Sequence, residues 1–179
     1  FPYSTQENLS TVKLSNGTLA FDVFRSNDDE FQFRNMTIVA DAGVNLVNLD
    51  SSAGIDLSHN SHLVLKNGAT LTEKYSDQST KRACIGYNAA NGSSNSLYIA
   101  NGGKFVSGRH LMIGGSNSAT SNPTGVVTVA GTDASLEAEE IWLGYVDSSS
   151  ASGGYGGLFV KDGGKVKCRR HLLMGTDYV

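Results

Sequence analysis

A short apolar strand closed by a glycine recurs along this chain, and the repetition restricts the fold more than any other feature. LSNG places the anchor at Gly17, LKNG at Gly68 and IANG at Gly102, with looser copies at Gly43, Gly131 and Gly163. The anchors are spaced roughly 25 to 34 residues apart, as expected of a repeat whose strands are fixed and whose turns vary. The last four copies share a fuller pattern. Apolar-x-apolar strands (Leu63–Leu65, Leu97–Ile99, Val127–Val129, Leu158–Val160) precede the anchor, and a lone apolar residue follows it (Leu71, Phe105, Leu136, Val166). A second strand then ends at Gly86, Gly114, Gly144 or Gly175, before a polar loop rich in Ser, Gly and Asn.

One such unit has too few apolar residues to bury its own inner side, whereas stacked units share a continuous interior. Each strand then pairs in parallel with its equivalent one coil away, about 4.8 Å along the axis. Glycine belongs at the corners, where the backbone needs freedom. The expected fold is an all-β, parallel β-solenoid of about six coils. A β-sandwich also has short strands at 8–12-residue spacing, but has no reason to repeat one phrase at near-equal intervals.

Composition agrees. Of 179 residues, 39% are hydrophobic and 17% charged, with a net charge of −3, so the chain is neither disordered nor a general nucleic-acid binder. No apolar run approaches the ~18 residues of a membrane helix, so no membrane insertion is expected. A single domain over 1–179 is expected, with 1–60 forming less regular coils or a cap and 61–179 the regular repeats. The chain starts at Phe1 and is expected to be a fragment of a longer protein. Cys84 and Cys168 match no zinc spacing and could form a disulfide only if the fold brings them together.

The segments LYIANGGKFVSGRHLMIGG, GVVTVAGTDASLEAEEIWLGY and GLFVKDGGKVKCRRHLLMG resemble the β-helical repeats of bacterial autotransporter passengers. They come closest to the repeat type shared by type V secretion proteins and proteins with a PEP-CTERM sorting tail. The resemblance covers about residues 60–179 well and the rest loosely. It implies a right-handed β-helix, export, and a place at the cell surface or beyond, in adhesion or colonisation.

Aligning the second strands on their closing glycines gives two charged columns. One holds Lys81, Arg109, Glu139 and Arg170, and the next Arg82, His110, Glu140 and His171. On a solenoid these are surface ladders of neighbours, in which opposite charges contribute about 0.2–1 kcal/mol per pair. The Arg-His phrase thus recurs two coils apart because the coil between carries the opposite sign. An acidic neighbour favours the protonated imidazole, so Glu140 is expected to raise both histidine pKa values. A metal held by His110, Glu140 and His171 is disfavoured, because two coils separate the histidines by about 9.6 Å against donor distances of about 2.0–2.2 Å. No cofactor is expected.

Other chemistry finds less support. The run SNDDE, with Asp28, Asp29 and Glu30, reads as a solvated turn, and Asp41, Asp50 and Asp56 follow in later coils. Glycoside hydrolysis would need two carboxylates about 5–9.5 Å apart across a cleft, and no copy of the repeat combines a carboxylate cluster with the basic residue a lyase would require. No GxSxG elbow occurs, and GGYGGL (153–158) has Leu158 where a calcium repeat needs Asp. More informative is a stripe expected to point outward: Cys84, Met112, Trp142 and Leu173, with Tyr87 and Tyr145 beside it and Tyr98 and Phe159 on the first strands. Trp142, Met112, Leu173, Tyr87, Tyr145, Tyr98 and Phe159 are therefore the candidate contact residues, for a glycan or surface-protein partner or for self-association; a covering loop is the alternative. The last coil should leave an open C-terminal edge. The expected role is a non-catalytic, secreted or surface-displayed stalk or adhesin, the alternative a polysaccharide lyase or glycoside hydrolase.

Overall fold

The computed structural model describes residues 10–21, 31–49, 54–77, 81–89, 91–116, 120–146 and 153–175. Every described element is a strand. The chain runs β1 (Ser10–Leu14), β2 (Gly17–Phe21), β3 (Phe31–Arg34), then β4 (Met36–Ala40), β5 (Val44–Asn48), β6 (Ile55–Ser58). The next turns bring β7 (His62–Lys66), β8 (Thr70–Glu73), β9 (Arg82–Ile85), then β10 (Ser94–Ala100), β11 (Lys104–Val106), β12 (His110–Gly115). Last come β13 (Thr124–Ala130) and β14 (Ser135–Tyr145), then β15 (Tyr155–Lys161) and β16 (Lys165–Met174).

All pairings are parallel, between equivalent strands of successive turns: the chain is a β-solenoid. One sheet stacks β1-β4-β7-β10-β13-β15. The other runs β2-β5-β8-β11-β14-β12-β9-β6-β3, with β16 on β14. It folds round a corner because β14 and β16 are continuous there, whereas earlier turns break between two short strands. The strands before residue 60 join these same sheets.

The expected columns form. Ile38, Leu63, Leu97, Val127 and Leu158 are successive register partners in the first sheet. Leu71, Phe105, Leu136 and Val166 are successive partners in the second, as are Ala83, Leu111, Ile141 and Leu172. Alternate side chains of each strand point inward, and their burial makes one continuous core from Ile38 to Ile141.

The repeated Gly-Gly has two causes. The first glycine turns the corner with positive φ, 78° at Gly102 and 86° at Gly163, where a Cβ is strained. The second is set by the coil before it: a Cβ on Gly103 would overlap the Leu65 carbonyl oxygen, and one on Gly164 that of Val129. The two cysteines are free thiols. Cys168 pairs in register with core-facing Ala138, while Cys84 pairs with Met112 in an outward column.

Candidate functional site

The charged columns meet as the alignment requires. Register partners run Arg82, His110, Glu140, His171. His110 Nε2 lies 3.6 Å from Glu140 Oε2, and His171 Nδ1 lies 3.1 Å from Oε1. Beside them, Glu139 takes Arg109 Nε at 3.5 Å and Arg170 at 3.3 Å. Two features depart from a surface ladder. Lys81 is fully buried rather than on the surface, and His110 and Glu140 are only 5% and 8% exposed. Glu140 acts to raise the His110 pKa, as expected, but the net shift is downward. Burial, which disfavours the charged ring, outweighs Glu140 and holds the value below the ordinary histidine range, with Arg109 adding to the depression. Burial acts to raise the Glu140 pKa, but hydrogen bonds from His171 and Trp142 and the charges of both histidines hold it below the usual carboxylate range. Among the described residues no group of three His, Cys, Asp or Glu side chains is placed to hold a metal ion.

The apolar column also forms: Cys84, Met112, Trp142 and Leu173 are successive register partners. It points outward but is not open. Met112 is fully buried, and Cys84, Tyr87 and Tyr145 pack with it into a second apolar cluster outside the main core, with Trp142 against it. The Trp142 ring stacks on His110 at 5.0 Å between centroids, meets Tyr145 at 4.6 Å, and donates its Nε1–H to Glu140 at 3.0 Å. The guanidinium of Arg82 lies over the same ring, 5.9 Å from its centroid. The stripe is thus closed largely by its own aromatic rings. The expectation that Met112, Tyr87 and Tyr145 offer a contact surface is corrected, and Trp142 and Leu173 are only half-buried at its margin.

Open aromatic surface lies instead on the first sheet. Tyr98 and Phe159 are 39% and 48% exposed and flank Thr128 in one outward column. Tyr155, four residues before Phe159 on the same strand, is 56% exposed. Both rings fold over Gly157, where a Cβ would lie 3.0 Å from Phe159 and 3.1 Å from Tyr155. Sequence reasoning missed Tyr155, although residues four apart on a strand share a face. On the same sheet His62 Nδ1 and Ser96 Oγ lie 2.8 Å apart, and burial holds the His62 pKa below its ordinary value.

A further group was not foreseen. Glu73 is 3% exposed at the corner between β8 and β9. It accepts the Ile55 amide at 2.7 Å, the Gly108 amide at 2.9 Å and the Ser107 hydroxyl at 3.2 Å, and so ties three turns together. Burial pushes its pKa up, against the opposing pull of these bonds and of Lys81. A shallow groove beside it is lined by Tyr75, Val106, Glu137, Glu139 and Arg169. Arg169 binds Glu137 and, with Lys167, holds its carboxyl below the usual range. Asp41 is drawn down to about 2 by bonds from Lys66 and Asn67, and Asp56 is buried. Asp28, Asp29, Glu30 and Asp50 lie outside the described residues.

No family model, curated protein or solved structure matches this chain.

Proposed function

We propose that this chain is a non-catalytic module of an exported surface protein, a rigid stalk that binds a glycan or protein through the outer face of its first sheet. The observation that carries this reading is the grouping of Tyr98, Tyr155 and Phe159, exposed on one flat face with the Thr128 hydroxyl between two of them. Tyr98 and Phe159 stand two strands apart, about 9.6 Å, a spacing at which two rings can each offer a π-face to a sugar or side chain. The continuous core beneath β10 and β13 keeps that part of the face rigid, so binding there costs little ordering entropy. Export and surface location rest on the resemblance of the repeats.

A glycan array probed with the chain, and with a Tyr98→Ala, Phe159→Ala double variant, tests this. Binding should be lost in the variant; an undiminished signal would refute the aromatic face. The groove bearing Glu73, Glu137 and Glu139 favours the second reading, a polysaccharide lyase or glycoside hydrolase. Its carboxylates are engaged: Glu73 by two amides and a hydroxyl, Glu137 by Arg169, Glu139 by Arg109 and Arg170. Release of reducing or unsaturated ends from a polysaccharide, lost in Glu139→Gln, would favour the enzyme.

A further inference from the structure

We propose that the chain cross-links itself: the Lys81 amine condenses with the side-chain amide of Asn48, and Glu73 carries the proton between the two nitrogens. Asn48 and Lys81 are fully buried, and Glu73 is 3% exposed. Asn48 and Glu73 are register partners of β5 and β8, about 4.8 Å apart. Each lies two residues beyond a buried leucine of its own strand, Leu46 or Leu71, so alternation turns both inward. Lys81 enters the same corner just before β9, two residues ahead of buried Ala83. Its Cε packs over Gly108, where a Cβ would lie 2.5 Å from it and 3.2 Å from the Glu73 Cβ. Its charge acts directly on the Glu73 carboxyl.

An ammonium and a carboxylate are costly to bury, and a proton passing from Lys81 to Glu73 removes both charges. Burial pushes the Glu73 pKa up, which favours the acid form. The amine nitrogen then attacks Asn48 Cγ and a C–N bond forms. Glu73 donates its proton to Asn48 Nδ2, and its carboxylate takes one from the attacking nitrogen. The Cγ–Nδ2 bond breaks and ammonia leaves. The products are a secondary amide, ammonia and the Glu73 carboxylic acid, with no oxidant or cofactor consumed. The adjoining core of Leu46, Leu71 and Phe105 keeps out the water that would hydrolyse the amide instead. The bond staples one turn of the solenoid to the next, whether or not the first sheet binds a ligand.

Mass spectrometry of the intact, denatured chain tests this. The chain should weigh about 17 Da less than its sequence, the mass of one ammonia. Trypsin should release residues 35–66 joined to residues 75–82, with cleavage after Lys81 blocked. Glu73→Gln keeps an acceptor oxygen for the two amides but has no acidic proton, so it should show the full mass, with circular dichroism reporting its β-structure. The branched peptide of the unaltered chain carries the proposal even where that variant fails to fold. Full mass in the folded, unaltered chain would overturn it. So would a loss of about 18 Da, which marks a carboxylate partner in place of Asn48. Loss of ammonia without the branched peptide would also overturn it, since that marks ring closure at an Asn-Gly pair such as Asn67-Gly68. An undiminished yield of branched peptide in Glu73→Gln would refute the role given to Glu73.

Discussion

Truncating two leucines of one column separates a stacked core from any other explanation of their burial. Leu111 and Leu172 lie one strand either side of Ile141 on the same inward face. Leu111 is fully buried; Leu172 is 50% exposed. Leu111→Ala removes the side chain from an interior closed on both sides, so lost transfer and cavity terms both apply, and the cost should be about 3–5 kcal/mol. Leu172→Ala loses about half the transfer term and leaves no closed cavity, for a cost of about 1 kcal/mol. Trp142 is the only tryptophan and adjoins Ile141 in sequence, so its fluorescence in a urea titration reports on this region. Equal costs for the two variants, or a cost for Leu111→Ala below about 1 kcal/mol, would refute the stacking.

Further outcomes follow from the charged groups. In Glu140→Gln the His110 pKa should fall further, because the substitution removes the main charge that raises it while Arg109 and Arg82 remain. NMR titration of the ring checks this, and an unchanged or raised value would contradict it. Because the folded His110 pKa lies below 6.5, the unfolded chain binds more protons as pH drops through 6.5, so this group lowers stability toward acid. Glu73→Ala leaves the Ile55 and Gly108 amides without their acceptor and should cost about 2–5 kcal/mol in urea unfolding. Glu73 acts oppositely with pH: its folded pKa is raised above 4.5, so its contribution falls as pH rises from 4.5 through the folded value. Glu73→Gln should remove that slope from the stability–pH profile.

The columns were legible in the sequence because two independent signals coincide, apolar residues at alternate positions and glycines at the corners. Phe105, Leu136 and Val166 could be placed in register from those signals alone, and the structure sets them there. Burial on the outer face was not legible. Alternation says that Met112 points outward, but only the packing of Tyr87, Trp142 and Tyr145 shows that it is covered. The direction of the His110 shift failed for the same reason, since a neighbouring charge can be inferred from register whereas desolvation cannot. Glu73, and the burial of Lys81, escaped notice because they sit at a corner where successive turns differ in length. The alignment places Lys81 but gives Glu73 no periodic partner, and the buried carboxylate satisfies backbone amides instead.

Every conclusion rests on residues about thirty positions apart becoming neighbours across parallel strands, and cysteine cross-linking tests that directly. Tyr98 and Thr128 are register partners on the exposed face of the first sheet. Their Cα atoms should stand about 4.8 Å apart, within the 4.4–6.8 Å that a disulfide spans. Val126 shares that face but is two residues out of register with Tyr98, about 8 Å away and beyond that span. Under mild oxidation, Tyr98→Cys with Thr128→Cys should form a 98–128 bridge identifiable by peptide mass mapping, and Tyr98→Cys with Val126→Cys should not. A bridge in the second pair but not the first, or in neither, would contradict the solenoid register.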